Sequence, residues 1–272
     1  MRTSLKYREI LADARRVVVK IGSRVLVQKS GRPDTRRMRS LVREIADLHK
    51  ADYEVALVSS GAIGAGMEAL GMKQRPKALP DLQMAAAVGQ TRLMSRYDRL
   101  FSDKDCKVGQ VLLTHADFQH KMRLTNARRT LINLLRNNVI PIINENDVVA
   151  DEEIKADLTL GDNDLLASLL VKLIRADLLI MLTTVDGFRQ KTPSGRTARI
   201  KYLEAIDAKT LKQAGKSNSD LSTGGMLTKL RAAQTASTAG CAAIIANGLK
   251  PGILSQIMSG KDVGTLVVAS AL

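Results

Sequence analysis

Two clusters of polar side chains adjoin apolar segments in the middle of the sequence. NEND (144–147) ends one apolar run, and GDND (161–164) precedes another. Their seven carboxamide and carboxylate side chains are too many to bury without partners. Together they could receive an ammonium group, such as that of an amino acid. Asp162 also stands where it can cap a helix, but capping does not account for the first cluster, so the two clusters predict a binding site.

Two glycine-rich segments stand where helices are expected to begin. SSGAIGAG (59–66) has the spacing of neither a Walker A loop nor a dinucleotide fingerprint. Its backbone N–H groups could hold an anion at the helix start, although a tight helix start is an equal alternative. In STGGMLTK (222–229), Lys229 lies about one turn inside the predicted helix. This segment either offers N–H groups, a hydroxyl and a cation to phosphates or is a flexible loop with a solvated lysine.

A further lysine interrupts the apolar run VVVKI (17–21). An unpaired ammonium is costly to bury, so Lys20 either has an anionic partner or extends to the edge of the strand. Gly22 would let a phosphate approach the backbone. Two lysines, two glycine-rich loops and a carboxylate cluster together predict phosphoryl transfer, in which cations and N–H donors stabilise charge on phosphate oxygens.

The apolar patterns place these segments at the ends of strands in an α/β fold. Continuous apolar strands that alternate with helices are typical of a mostly parallel sheet covered on both faces, and ligands bind outside the carboxyl ends of such strands. The predicted strands are 17–21, 54–60, 107–114, 139–144, 177–184, 241–247 and 265–269. The predicted helices are 35–50, 81–102, 124–137, 162–175, 225–239 and a short one near Pro251, with a hairpin or ordered excursion over 186–202.

Composition narrows the classes of protein to consider. No apolar run reaches the ~20 residues that span a bilayer, and two cysteines are too few for a disulfide framework, so a cytoplasmic location is expected. The three histidines lack metal-ligand spacing. The net charge of +15 leaves nucleic-acid binding open, but no aromatic residues alternate with the basic ones as a base-stacking platform requires. A basic solvated face is therefore the favoured interpretation.

Six motifs occur in an order and approximate spacing that characterise one family. They are VVVKIGS, VSSGAIGAG, INENDVVA, GDNDLLAS, STGGMLTKLRAA and KPGIL, and the matching region runs from about residue 16 to residue 269. The sequence therefore resembles the glutamate 5-kinases of the amino acid kinase family. The resemblance implies a three-layer αβα sandwich around a mostly parallel, roughly eight-stranded sheet. It also implies one domain over 1–272, with a glutamate-binding lobe (about 1–170) and a nucleotide-binding lobe (about 171–272).

The function implied by the resemblance is the ATP-dependent phosphorylation of the L-glutamate side-chain carboxylate to L-glutamyl 5-phosphate, the first step of proline biosynthesis. The implied cofactors are ATP and Mg²⁺, with the ion carried mainly on the ATP phosphates and no direct protein ligands assigned. Proline as a feedback inhibitor, a homo-oligomer (dimer or tetramer) and a downstream glutamyl phosphate reductase are the further implied partners. Neither a membrane nor a nucleic acid is expected as a partner.

The same matching implies roles for individual residues. Lys20 and Lys229 are expected to stabilise the transferring phosphoryl group, and Asp162 is expected to hold both lysines in place. The expected glutamate-binding residues are Ser60, Gly61, Asp147 and Asn163. The expected nucleotide-binding residues are Lys20, Gly22, Thr183, Thr184, Thr223, Gly224, Gly225, Met226 and Lys229.

Some features depart from the family pattern. Arg24 replaces a small hydroxyl residue, Thr184 an aspartate and Ser222 a glycine, and the sequence ends where many members continue into a PUA domain, so a kinase-only member is expected. Two alternatives remain open. One is a sister kinase acting on another small acid such as N-acetylglutamate or aspartate. The other is a non-catalytic sensor or nucleic-acid-binding protein.

Overall fold

The computed structural model describes residues 9–11, 13–28, 33–149, 163–191, 195–215 and 225–270. The chain divides into two compact units. We call Ile21–Leu158 the continuous unit, and Met1–Lys20 with Thr159–Leu272 the split unit. The predicted single domain with a lobe boundary near residue 170 stays a prediction.

Strands and helices alternate along both units. The strands are β1 (Arg16–Ile21), β2 (Glu54–Val58), β3 (Lys107–Leu113), β4 (Val139–Glu145), β5 (Leu178–Thr183), β6 (Arg189–Lys191), β7 (Thr197–Arg199), β8 (Tyr202–Leu203), β9 (Ala242–Asn247) and β10 (Thr265–Val267). The helices are α1 (Ser23–Leu26), α2 (Thr35–Lys50), α3 (Ala62–Ala69), α4 (Leu79–Ser102), α5 (His115–Gln119), α6 (Lys121–Arg136), α7 (Asn163–Ile174), α8 (Ala208–Gly215), α9 (Met226–Thr238) and α10 (Ile253–Met258).

The continuous unit contains three parallel strands in the order β3-β4-β2. Central strand β4 is apolar at nearly every position because its residues 140–144 are buried. Helix α2 buries the face that its spacing predicts, including Met38, Leu41 and Ile45. Asp34 caps this helix, since its side chain accepts a hydrogen bond from the Arg37 backbone N–H at 2.9 Å.

Helices α3 and α4 approach each other at two glycines. A Cβ atom on Gly66 would lie 1.7 Å from the carbonyl oxygen of Ala85, and one on Gly89 would lie 1.8 Å from that of Ala62. These distances leave no room for any side chain. The backbones of the two helices are therefore in direct contact, and α4 is a rigid support for the start of α3.

The split unit contains five strands in the order β1-β5-β9-β10-β8. Strands β5 and β9 are parallel over six residue pairs, from Leu178 opposite Ala242 to Thr183 opposite Asn247. Strand β10 runs antiparallel to β9 and parallel to β8. Both β5 and β9 are almost wholly buried, which explains their unbroken apolar sequences.

The structure confirms the predicted fold class, an α/β fold with eight strands of mostly parallel sheet. The seven predicted strands and the predicted helices are present, with ends that differ by a few residues. The excursion over 186–202 contains the antiparallel hairpin β6-β7. Four short elements, α1, α5, α8 and β8, were not predicted, because segments this short carry little periodic signal. No helix in the described ranges combines the length and the apolar character needed to cross a membrane.

The contact between α3 and α4 yields a stability prediction. Gly89→Ala should lower the free energy of unfolding by about 3 kcal/mol or more, because the added methyl group meets backbone atoms that cannot rotate away. Urea denaturation, monitored by circular dichroism, measures the change in the free energy of unfolding. Gly215→Ala is the matched control, since among the residues that the structure describes its Cβ would meet only Leu227 Cδ2, at 3.8 Å. Equal unfolding midpoints for the two variants would contradict the close contact.

Candidate active site

A buried lysine lies near the carboxyl end of β1. Lys20 is 2% exposed, and its strand neighbours Val19 and Ile21 are fully buried. An ammonium group in such surroundings is stable only beside an anion. The anion is the carboxylate of Asp164, whose Oδ1 lies 2.5 Å from Lys20 Nζ.

Asp164 also contacts a second lysine. Its Oδ2 accepts a hydrogen bond from Lys229 Nζ at 3.1 Å, and the Thr228 hydroxyl lies 3.1 Å from the same oxygen. Asp164 is 0% exposed and Lys229 is 6% exposed. One buried carboxylate thus bridges two buried ammonium groups that come from distant parts of the sequence. We call Lys20, Asp164 and Lys229 the lysine–aspartate trio.

Helix periodicity explains how Asp164 and Lys229 reach this position. Asp164 shares the buried face of α7 with Ala167, Ser168 and Val171, which follow it at the spacing of one helix face. Lys229 lies in the first turn of α9, one turn before the buried Ala233. Each charged residue therefore stands on an otherwise small or apolar face.

The trio holds Asp164 in its ionised form. Burial acts to raise the pKa of Asp164, but the charges of Lys20 and Lys229 and their hydrogen bonds outweigh burial and lower it to about 2. Two ammonium groups against one carboxylate leave the trio one positive charge in excess. Such a group can stabilise negative charge that develops on phosphate oxygens.

The expected glutamate-binding residues of the continuous unit lie where two parallel strands end. Ser60 and Gly61 follow β2, and Asp147 follows β4. The Ser59 backbone N–H donates to the carbonyl of Ile143 at 2.9 Å, which fixes the loop after β2 beside the end of β4. Gly61 has a φ of 108°, a conformation that glycine adopts without strain and that allows α3 to begin at the next residue. Ser60, Gly61 and Asp147 therefore lie at the same edge of this unit's strands.

The expected nucleotide-binding residues of the split unit also lie at strand and helix ends. Thr183 ends β5 and its carbonyl accepts from the Gly248 backbone N–H at 2.8 Å, which fixes the segment after β9 beside it. Thr184 follows directly. Gly225 and Met226 form the start of α9, the helix that carries Lys229.

Some of the remaining residues predicted from the sequence lie within the described part of the chain, and others lie outside it. Asn163 begins α7 and is largely buried beside Asp164. Gly22 precedes α1 in an extended conformation, and Arg24 in that helix is exposed. Asp162, Thr223 and Gly224, together with Ser222, lie outside the described residues, so the roles expected for them stay predictions.

The role of Asp164 in the trio was not predicted from the sequence. The sequence predicts GDND (161–164) as a functional cluster and expects Asp162 to hold the lysines. Asp162 lies outside the described residues, and the residue that the structure shows in contact with both lysines is Asp164. The buried helix face of α7 carries the missed signal. Asp164 stands three, four and seven residues before the fully or almost fully buried Ala167, Ser168 and Val171, so periodicity places its side chain among them.

The chain matches a protein-family model over most of its length. A model of the amino acid kinase family matches residues 15–247. The chain belongs to the amino acid kinase family. The matched range contains both lysines of the trio and the loops after β2 and β4.

Several curated relatives share the same name. A glutamate 5-kinase of Clostridium tetani is 42% identical over 260 residues, which cover 95% of this chain and 96% of the relative. One of Lactiplantibacillus plantarum is 44% identical over 93% of this chain and 96% of the relative. One of Moorella thermoacetica is 43% identical over 97% of this chain and 69% of the relative. The resemblance to glutamate 5-kinases is confirmed.

Two solved structures share the fold. A carbamate kinase from Giardia lamblia bound to AMP-PNP has a TM-score of 0.65 and 18% identity, covering 95% of this chain and 100% of that chain. A UMP kinase from Bacillus anthracis has a TM-score of 0.60 and 15% identity, covering 95% and 97%. These identities are low, so the likeness concerns the fold alone.

The lowered pKa of Asp164 yields a prediction about stability and pH. At neutral pH, Asp164→Asn should lower the free energy of unfolding by about 3–5 kcal/mol, because it removes the carboxylate that contacts both buried ammonium groups. The ionised carboxylate stabilises the folded state above the unfolded pKa of about 4, and this stabilisation is lost as pH falls towards the folded value near 2. The difference between wild type and variant should therefore shrink below about pH 4.

Chemical denaturation at several pH values between neutral and the acid limit of folding measures this difference. Asp105→Asn is the control, because the Asp105 side chain is 95% exposed and its ion pair with Lys50 is 3.7 Å long. That variant should change stability by less than about 1 kcal/mol. A difference for Asp164→Asn that stays constant down to the acid limit would refute the stabilising role of its charge.

Proposed function

We propose that the protein transfers the γ-phosphoryl group of ATP to the side-chain carboxylate of L-glutamate and so forms L-glutamyl 5-phosphate. The observation that carries this proposal is the lysine–aspartate trio, in which one buried carboxylate fixes two ammonium groups. The names of the curated relatives support glutamate as the substrate. ATP is the phosphoryl donor expected of a kinase.

The mechanism that fits these residues is direct in-line attack by the glutamate carboxylate on the γ-phosphorus. A carboxylate is ionised at neutral pH, so no general base has to remove a proton. The obstacle is repulsion between two anions, and charge spread over the phosphate oxygens must be stabilised. Lys20 and Lys229 supply that stabilisation, and Asp164 holds both ammonium groups in position before the substrates arrive, which lowers the cost of reorganisation.

We propose that glutamate binds through Ser60, Gly61, Asp147 and Asn163. The Asp147 carboxylate and the Asn163 carboxamide suit the substrate ammonium group, and the backbone N–H groups at the start of α3 suit a carboxylate. Both Ser60 and Asp147 are half-buried, so each residue is partly shielded from water. Partial burial strengthens such charge-assisted hydrogen bonds.

The nucleotide is proposed to bind through the remaining expected residues. Gly225 and Met226 start α9, where backbone N–H groups favour phosphates, and Thr183 and Thr184 form the end of β5. Gly22, Thr223 and Gly224 complete the set predicted from the sequence. Asp164 is committed to two lysines, which supports the prediction that Mg²⁺ is carried mainly on the ATP phosphates.

The wider setting of the reaction is also a proposal. L-Glutamyl 5-phosphate is a reactive acyl phosphate, which suits direct use by a reductase as the next step of proline biosynthesis. Feedback inhibition by proline, assembly into a dimer or tetramer and a cytoplasmic location stay predictions from the resemblance.

The reaction is tested by ADP release from Mg·ATP with L-glutamate, L-aspartate, N-acetylglutamate or no acceptor. Glutamate-dependent release is expected. Lys20→Met, which keeps the length of the side chain but removes its charge, should lower kcat by at least 10²-fold, whereas Lys73→Ala at an exposed position should leave it unchanged. Release with another acceptor would move the substrate assignment to a sister kinase. Failure of folded protein with every acceptor, together with salt-dependent RNA binding, would favour the nucleic-acid alternative.

The glutamate site has its own test. Asp147→Asn should raise the KM for glutamate about tenfold or more, since it removes the charge proposed to receive the substrate ammonium group, and it should leave the KM for ATP within a factor of about two. Asp52→Asn is the control, because Asp52 is exposed in the turn that precedes β2. An unchanged glutamate KM for Asp147→Asn would refute the assignment of this residue.

A further inference from the structure

A tyrosine hydroxyl is buried beneath the loop that follows β2. Tyr97 in α4 is 0% exposed, and its hydroxyl oxygen lies 2.8 Å from Oγ of Ser59, which is also 0% exposed. Ser59 directly precedes Ser60, the residue proposed to bind glutamate. The mechanism proposed above gives no role to either Tyr97 or Ser59.

The direction of the hydrogen bonds can be assigned. The Ser59 hydroxyl donates to the carbonyl oxygen of Ser60 at 3.2 Å. A serine hydroxyl has one proton, so in its bond with Tyr97 the Ser59 oxygen accepts and the tyrosine donates. Burial raises the pKa of Tyr97 well above its ordinary value, so the tyrosine keeps its proton under assay conditions. The result is a relay that runs from the Tyr97 hydroxyl through Ser59 to the Ser60 carbonyl.

The helix that carries Tyr97 is fixed at other points of the same strand edge. Gln90 in α4 accepts at Oε1 a hydrogen bond from the side chain of Asn144 in β4, at 2.8 Å. Gly89 brings the α4 backbone against Ala62 at the start of α3. Tyr97 therefore donates from a support that is already anchored beside both loops of the proposed glutamate site.

We infer that Tyr97 is a positioning residue for glutamate binding: its hydroxyl orients Ser59 and, through Ser59, the peptide that carries Ser60. This inference rests on the proposed role of Ser60 in binding glutamate. A merely structural role would need no hydroxyl, because a phenylalanine ring fills the same space and still packs against Phe101, whose ring centroid is 6.2 Å from that of Tyr97. A hydroxyl buried at this depth is costly unless its hydrogen bond is made, and here that bond restricts the loop.

The test is steady-state kinetics of Tyr97→Phe, which removes one oxygen atom and keeps the ring. The KM for glutamate should rise at least fivefold, while the KM for ATP should stay within a factor of two. Ser59→Ala should have the same signature. Combining the two substitutions should raise the glutamate KM no further than the larger single change, because both interrupt one relay.

Leu100→Ala is the matched control for loosened packing, since Leu100 is a buried residue of the same helix. It should lower the melting temperature and leave the ratio of the two KM values unchanged. If Tyr97→Phe changed both KM values in parallel, as general loosening would, the inference would be overturned.

Ser60→Ala separates failure of the inference from failure of the proposed glutamate site. A raised glutamate KM for Ser60→Ala with an unchanged one for Tyr97→Phe would overturn the positioning role alone. An unchanged glutamate KM for Ser60→Ala would remove Ser60 from the proposed site and overturn the inference with it. The expected result is a raised KM for glutamate, and not for ATP, in both Ser60→Ala and Tyr97→Phe.

Discussion

The burial of the Lys20 ammonium group is the constraint on which the split unit depends. An apolar strand can hold a lysine at this position only if a carboxylate is supplied from elsewhere in the chain. Asp164 meets that need from the first turn of α7, and its second oxygen holds Lys229 from the first turn of α9. The relative placement of β1, α7 and α9 is therefore tied to one buried group of charges. The same group contains the two cations to which the proposed phosphoryl transfer assigns charge stabilisation.

The two units fix their polar groups by different physical means. In the split unit, an ion group excluded from water fixes charge before any substrate binds. In the continuous unit, the loops after β2 and β4 are fixed in two ways. The backbones of α3 and α4 are in direct contact at Gly66 and Gly89. Side-chain hydrogen bonds join Tyr97 to Ser59 and Gln90 to Asn144. In the proposed reaction, the trio stabilises charge and the loops of the continuous unit orient the substrate. Substitutions in the trio are therefore expected to affect different kinetic constants from substitutions in those loops.

Much of the fold and part of the site could be predicted from the sequence. Long β-branched runs and helical periodicity gave the main strands and helices, and the cost of burying an ammonium group pointed to an anionic partner for Lys20. The motif GDND (161–164) offers two aspartates for this role, and the motif alone does not single out Asp164, the residue that contacts both lysines. Tyr97 could not be recognised, because an aromatic residue in a helix ordinarily indicates packing. Its donor role depends on a contact with Ser59, 38 residues away, which no local pattern encodes.

The central claim is that Lys20, Asp164 and Lys229 act as one unit in catalysis, and a double-mutant cycle on kcat tests it most directly. The cycle compares Lys20→Met, Asp164→Asn and the double variant in folded protein, with saturating glutamate and ATP. If the carboxylate acts by holding the lysine, the double variant should lose about as much activity as the more damaged single variant. If kcat of the double variant instead falls by the product of the two single effects, the residues contribute independently. That result would contradict the account.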